Sequence, residues 1–182
     1  MRVIAGSAKG RRLGRVPDGT RPMLDRAKEG LFSSLGDRVL GAEVLDLFAG
    51  TGSLGIEALS RGAAHATFVE QGKEAARVIR ANLEHTGLAD RSEVFQARVE
   101  TFLKRPARPA DLVFLDPPYA MTDEALSQVI GLIDSGEWLA GPSASVVLHR
   151  PSRDDTIVIP VDWPVARTLE YGDTRLFIYR ED

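Results

Sequence analysis

The chain contains no cysteine. Disulfides, cysteine-ligated zinc, iron–sulfur clusters and a thiol nucleophile are therefore excluded. Histidine is scarce. Only His65, His85 and His149 occur, and their separations match no metal-ligand spacing, so no metal site is expected and all three are read as structural or surface residues. No apolar run approaches the ~18 residues that a membrane-spanning helix needs. The opening MRVIAGSAKGRR has charge but no apolar stretch of signal-peptide length. A cytoplasmic, soluble protein, monomeric by default, is the expectation.

What is present is ordinary in composition and uneven in charge. With 182 residues, 43% of them hydrophobic and 27% charged, the chain suits one globular domain, or one domain with a small appendage, able to bury its own core. The net charge of -3 conceals an asymmetry: residues 1–30 hold eight Lys and Arg against three acids, and the remainder holds 15 against 23. A basic arm on an acidic body suits a polyanionic partner gripped at one end, whereas the plain alternative is a solvated charged face.

Apolar patterning predicts the elements. Residues 2–5 and 11–16 are expected as short strands around a turn at 6–10, forming a basic hairpin, and 17–20 reads as a turn. Residues 1–20 are thus set apart as an appendage from a main domain over 21–182. Leu24, Ala27, Leu31 and Leu35 share one helical face over 24–35, with Gly36 ending the helix. From residue 40 a strand–helix rhythm begins. Strands are expected at 44–48, 66–70, 94–95, 111–115 and 145–148, and helices at 53–60, 73–84 (Ala76, Ile79 and Leu83 inward) and 122–133. Apolar strands alternating with amphipathic helices imply a parallel sheet covered on both faces. The tail departs from this: 166–171 and 175–179 flank Gly172-Asp173-Thr174 with no helix between, an antiparallel hairpin at the sheet edge. The fold class read from this pattern is α/β, Rossmann-like, with a mostly parallel seven-stranded sheet and a C-terminal antiparallel hairpin. It is the usual architecture of S-adenosylmethionine-dependent methyltransferases.

Strand 44–48 runs into Ala49-Gly50-Thr51-Gly52-Ser53-Leu54-Gly55, a G-x-G-x-x-G pattern between strand and helix, where glycines permit tight turning and close backbone approach to a ligand. Glu70 follows Gly50 by 20 residues, where a carboxylate can accept hydrogen bonds from both ribose hydroxyls. The pattern alone serves nicotinamide and flavin cofactors equally, and a tight turn without ligand is the plain alternative. Asp46 shifts the balance. An acid inside an apolar strand needs partners, and the ammonium of a methionine moiety suits it, whereas a pyrophosphate would be repelled. S-adenosyl-L-methionine is the expected cofactor, held by Asp46, Ala49, Gly50, Thr51, Gly52, Glu70 and Gln71, with Ala97, Arg98 and Asp116 also expected to line its site. The third strand, expected near the adenine, continues as Ala97-Arg98.

Asp116-Pro117-Pro118-Tyr119 follows the fourth strand on the same sheet edge. The exocyclic amino nitrogen of a base is a poor nucleophile because its lone pair is delocalised into the ring. Asp116 and the Pro117 carbonyl can each accept one N–H, which favours a pyramidal nitrogen that attacks a sulfonium methyl in line. Pro117 and Pro118 stiffen the loop and remove competing donors. Tyr119 offers a face to a base drawn out of its stack, and Asp116 can take the released proton. A strand-ending turn is the plain alternative. The tetrapeptide points to amino methylation and leaves adenine, cytosine and guanine open.

These residues resemble the RsmD family of bacterial 16S rRNA guanine-N2 methyltransferases over nearly the whole chain. The resemblance is carried by Met1 to Gly6, Lys9 to Leu13, Thr20-Arg21-Pro22, Asp25-Arg26, Glu29, Leu31-Phe32, the 45–52 segment, Glu57 to Gly62, Asp116 to Tyr119 and the Gly172-Asp173-Thr174 turn. It implies methylation of a guanine N2 in 16S (small-subunit) rRNA, within a small-subunit assembly particle, with phosphates gripped by Arg2, Lys9, Arg11, Arg12 and Arg21. Two departures concern cofactor contacts and leave the tetrapeptide intact: Met23 stands where the family often has Thr, and Ala97-Arg98 replaces a third-strand acid. An N6-adenine methyltransferase acting on DNA or RNA is the enzyme alternative, although 182 residues leave little room for a DNA-recognition domain. A non-catalytic RNA-binding module on the same fold is the other. For a dinucleotide oxidoreductase, no residue looks like a hydride-transfer partner.

Overall fold

The apolar runs of the chain become strands of one sheet in its computed structural model, which describes residues 1–16, 23–152 and 161–180. In chain order the elements are α1 (Asp25–Leu35), β1 (Glu43–Leu47), α2 (Ser53–Ser60), β2 (His65–Glu70), α3 (Lys73–Thr86), β3 (Ser92–Gln96), α4 (Val99–Phe102), β4 (Leu112–Leu115), α5 (Asp123–Ser135), β5 (Ser145–Pro151), β6 (Val165–Tyr171) and β7 (Thr174–Tyr179). The sheet order is β3-β2-β1-β4-β5-β7-β6. β1 to β5 run parallel, and β7 enters antiparallel between β5 and β6.

Period-two alternation sends side chains to two cores. Val44, Leu112, Phe114 and Val147 face a layer that includes Leu31, Phe32 and Leu35 of α1, Ile56 and Leu59 of α2, and Ile79 and Leu83 of α3. Leu45, Leu47, Val113, Leu115, Val146 and Leu148 face Phe102 of α4 together with Leu126, Val129, Ile130 and Ile133 of α5. Both faces are covered, as parallel sheets require. α4 gives no signal in the sequence because four residues carry no helical period. α5 starts where Thr122 Oγ1 accepts the Ala125 N–H at 3.2 Å, with Asp123 and Glu124 in its first turn, the arrangement that favours a helix N-terminus.

The inward face of α1 differs from expectation at one position. Leu24 precedes the helix and is 48% exposed, while Lys28 is buried. The reason lies in the N-terminal segment. Its chain reversal is present, closed by an antiparallel bridge between Arg2 and Arg12, but the strands expected at 2–5 and 11–16 extend no further than that bridge. The Ile4 and Ala5 N–H groups donate instead to the Glu57 carboxylate at 2.8 and 3.0 Å, and the Ala8 N–H donates to Ser60 Oγ at 2.9 Å. Backbone bonds cross the reversal from Val3 N–H to Arg11, Gly10 N–H to Val3 and Leu13 N–H to Met1, and beyond them the Ile4, Ala5 and Ala8 amides are satisfied by α2. Lys28 Nζ donates to the Arg2 carbonyl at 2.6 Å and lies 3.5 Å from Glu57. Val3, Ala8 and Leu13 join the first core. The turn expected at 17–20 and the boundary expected at residue 20 lie outside the described residues.

Glu57 is fully buried and also accepts from Arg61 Nε at 2.8 Å. Burial lowers the Lys28 pKa, and the Glu57 carboxylate is the main influence opposing that fall. Replacing Glu57 by Gln leaves Lys28 without its counter-charge. It is expected to lower stability by about 3 kcal/mol, seen as a reduced urea midpoint, with faster hydrogen exchange at the Ile4 and Ala5 amides.

Candidate active site

Parallel register brings the carboxyl ends of β1, β2 and β4 to one level, beside the middle of β5. Leu47 pairs with Val69 and with Leu115, and Leu115 pairs with Leu148. One residue further on, Glu70, Phe48, Asp116 and His149 therefore stand side by side. β1 and β4 are neighbours at the point where the strand order reverses, and such a reversal opens a crevice beyond the strand ends. A cavity of about 530 Å³ lies there, a volume suited to a small ligand.

Its walls come from segments far apart in sequence: Met1, Arg15, Val16 and Met23; Asp46 and residues 48–51; Ser53 and Leu54; residues 69–71; residues 97–100; and Asp116, Pro118 and Met121. Of the expected cofactor residues, Asp46, Ala49, Gly50, Thr51, Glu70, Gln71, Ala97, Arg98 and Asp116 are brought to this one cavity, and Gly52 is not among its lining residues. Gly52, at φ 78°, turns the chain into α2 instead, a conformation costly for residues with a Cβ. Its N–H bonds the Ala49 carbonyl at 2.7 Å.

Glu70 ties the glycine loop to the next turn: Oε2 accepts the Gly50 N–H at 2.9 Å and Oε1 accepts the Gly72 N–H at 2.7 Å. Each oxygen retains a lone pair for a further donor. Asp46 is 1% exposed, and its Oδ2 accepts the Gly55 N–H at 2.9 Å. A Cβ on Gly55 would stand 2.4 Å from the Phe68 ring and 3.1 Å from Asp46 Oδ2, so a glycine is what lets this amide reach the carboxylate. Burial raises the Asp46 pKa well above the usual carboxylate value. The Gly55 hydrogen bond opposes this, and the charges of Asp116 and Glu70 add to it. The Ala97 N–H bonds the Glu70 carbonyl at 3.1 Å and is committed to the sheet. Arg98 lies 3.8 Å from Glu100.

Within the tetrapeptide, Asp116 Oδ1 lies 2.6 Å from His149 Nδ1. Pro117 is buried, while Pro118 and Tyr119 are exposed. The Pro118 carbonyl accepts the Met121 N–H at 2.9 Å, closing the turn. The Tyr119 ring approaches His149 edgewise, with centroids 6.4 Å apart at 67°. Asp46, Asp116 and His149 occupy equivalent alternation positions on their strands, on the α1 and α2 side of the sheet.

Arg2, Lys9, Arg11 and Arg12 share the exposed surface of the N-terminal loop. Arg2 pairs with Asp25 at 3.1 Å, and Arg11 donates to the His85 carbonyl. Arg21 lies outside the described residues. Neither the N-terminal wall of the cavity nor the contact of His149 with Asp116 is foreseen from local pattern. Asn82 holds that wall, accepting the Gly14 N–H at 2.7 Å and donating to the Thr51 carbonyl at 2.9 Å. Met23, distinctive in the sequence only as a departure from a pattern, lines the cavity. Among the described residues no cluster of three or more His, Asp or Glu is placed to hold a metal ion, and no helix is long and apolar enough to cross a membrane.

The family model described as conserved hypothetical protein 95 matches residues 1–180. The chain is 37% identical over 188 residues to the putative rRNA methyltransferase YlbH of Bacillus subtilis (strain 168), covering 100% of this chain and 99% of that protein. It is 34% identical over 184 residues to ribosomal RNA small subunit methyltransferase D of Escherichia coli (strain K12), covering 100% and 90%. The solved structure of the putative methyltransferase yhhF from Escherichia coli matches with a TM-score of 0.88 at 33% identity, covering 100% of this chain and 98% of that one.

Because burial raises the Asp46 carboxyl, the unfolded chain releases this proton at lower pH than the folded one. Native stability therefore falls as pH rises above the ordinary carboxylate range. Asp46→Asn removes that loss and keeps an oxygen for the Gly55 amide. In thermal unfolding without ligand, the variant is expected to match the parent chain near pH ~4 and to melt a few degrees higher at pH ~7.

Proposed function

Because the chain belongs to the conserved hypothetical protein 95 family, the RsmD group, we propose that it transfers the methyl group of S-adenosyl-L-methionine to the exocyclic N2 of a guanine in 16S rRNA. The observation that carries this reading is the meeting of Asp116 with the glycine loop and the buried Asp46 across one cavity.

The cavity suits a cationic ligand. Asp46, Glu70 and Asp116 all line it, and the first of these is buried with the Gly55 amide as its hydrogen-bond donor. With Glu100 the lining holds four carboxylates against the guanidiniums of Arg15 and Arg98, so an anionic pyrophosphate would meet a net negative wall, while an ammonium and a sulfonium relieve the repulsion. Asp46 would hold the ammonium, Glu70 and Gln71 the ribose hydroxyls, the 49–52 loop the methionine portion, and Ala97 and Arg98 would flank the adenine. S-adenosylmethionine, when bound, supplies an electrophilic methyl group.

The chain's own residues do the rest by placement. The Asp116 carboxylate accepts one N–H of the guanine amine and the Pro117 carbonyl accepts the other, which localises the nitrogen lone pair. Tyr119, 55% exposed, stacks on the extruded base. When the carbon–nitrogen bond forms and the carbon–sulfur bond breaks, the nitrogen sheds a proton to Asp116. Pro118 keeps the turn rigid. Arg2, Lys9, Arg11, Arg12 and Arg21 contact RNA phosphates, and the RNA is presented within a small-subunit assembly particle.

Asp116→Ala is expected to lower methyl transfer by a factor of about 10³ or more while calorimetry shows cofactor binding retained; full activity would overturn the mechanism. Mass analysis of nucleosides after reaction on unmodified rRNA, naked and in particles, is expected to show N2-methylguanine, and N6-methyladenine would overturn the choice of base. Replacing Lys9 and Arg12 by Ala is expected to reduce the salt slope of RNA binding by about one for each phosphate no longer neutralised.

A further inference from the structure

We propose that His149 is a positioning residue for methyl transfer, fixing one oxygen of Asp116 so that the other alone faces the reacting amine. The proposal rests on the amino-methylation reading of the Asp116 site.

At 2.6 Å, His149 Nδ1 and Asp116 Oδ1 cannot both be bare acceptors, so one proton lies between them. His149 is 7% exposed, and its Nε2 is buried with no hydrogen-bond partner among the described residues. The hydrogen therefore lies on Nδ1 and is donated to the Asp116 carboxylate. Strand pairing sets the two residues side by side, since Leu115 pairs with Leu148 immediately before them, and the edge-on Tyr119 ring confines the imidazole.

The need for such a partner follows from the side chain involved. An aspartate carboxylate turns over a broad torsional range, and Asp116 follows the last residue of β4. An untethered carboxylate would present either oxygen at varying angles to an amine whose reactivity depends on alignment. With Oδ1 held, Oδ2 is left to accept the N–H and then the proton. The Nδ1 hydrogen stays where it is.

The test uses the full chain, methyl-labelled S-adenosylmethionine and unmodified small-subunit rRNA. His149→Leu removes the donor. His149→Asn places an amide N–H near the Nδ1 position, and His149→Gln places it one bond further out. The Leu variant is expected to lose kcat by about 30–100-fold with KM for RNA and cofactor affinity within about twofold. Asn is expected to recover to within about fivefold of the parent, and Gln to stay impaired. Equal activity of Asn and Gln overturns the proposal, a comparison that stands even if the Leu variant misfolds. So does a folded Leu variant with unchanged kcat, or a loss expressed only in cofactor affinity. A parent chain that methylates no RNA base overturns the functional reading and this proposal with it, whereas an active parent with indifferent variants overturns this proposal alone.

Discussion

The carboxylate of Glu57 is the constraint on which the placement of the N-terminal segment depends. It is fully buried and gathers donors from three parts of the chain: the Ile4 and Ala5 amides, Lys28 of α1 and Arg61 following α2. A buried anion left with fewer partners is strongly unfavourable, so the segment is held against α2 in one orientation. The consequence reaches the cavity. With residues 3–13 docked, Met1, Arg15 and Val16 become part of its wall, and Asn82 links Gly14 to the Thr51 carbonyl of the glycine loop. A stretch whose charge suggests a free basic arm is a structural wall on one side and a cationic surface on the other.

The site itself concentrates unfavourable charge. Asp46, Glu70 and Asp116 converge on one cavity, and the innermost has its carboxyl pKa raised by burial. Such an arrangement lowers the stability of the protein on its own, as functional sites commonly do, and it becomes favourable when a cation occupies the space. Backbone amides supply what compensation there is. Gly55 serves Asp46, while Gly50 and Gly72 serve Glu70. The glycines of the loop thus act twice, once by turning the chain and once by letting donors approach closely.

Much of this was legible in the sequence. Strand–helix alternation, the terminal hairpin, the glycine loop and the tetrapeptide are local patterns, and local patterns survive translation into structure because each is decided by neighbours within a few residues. The register of strands, the partner of Asp116 and the docking of the N-terminal loop are of another kind. His149 looked like an isolated histidine because its significance lies in standing across from a residue 33 positions away. Helical periodicity places Leu24 on the core face of α1 and leaves out Lys28, because it ignores a buried carboxylate contributed by a different helix. The short α4 has too few residues for any period to show.

The linear order of residues determined the fold class and the chemistry available, since both depend on residue types recurring at short range: apolar runs that must be buried, glycines where the chain must turn, an acid and two prolines at a strand end. Only the tertiary structure decided which groups act together. Met1, Asp46, Glu70, Asp116 and His149 stand 24 or more positions apart along the chain, and what joins them is the side-by-side register of parallel strands and the satisfaction of one buried carboxylate. Those are three-dimensional conditions, met by no single stretch of sequence.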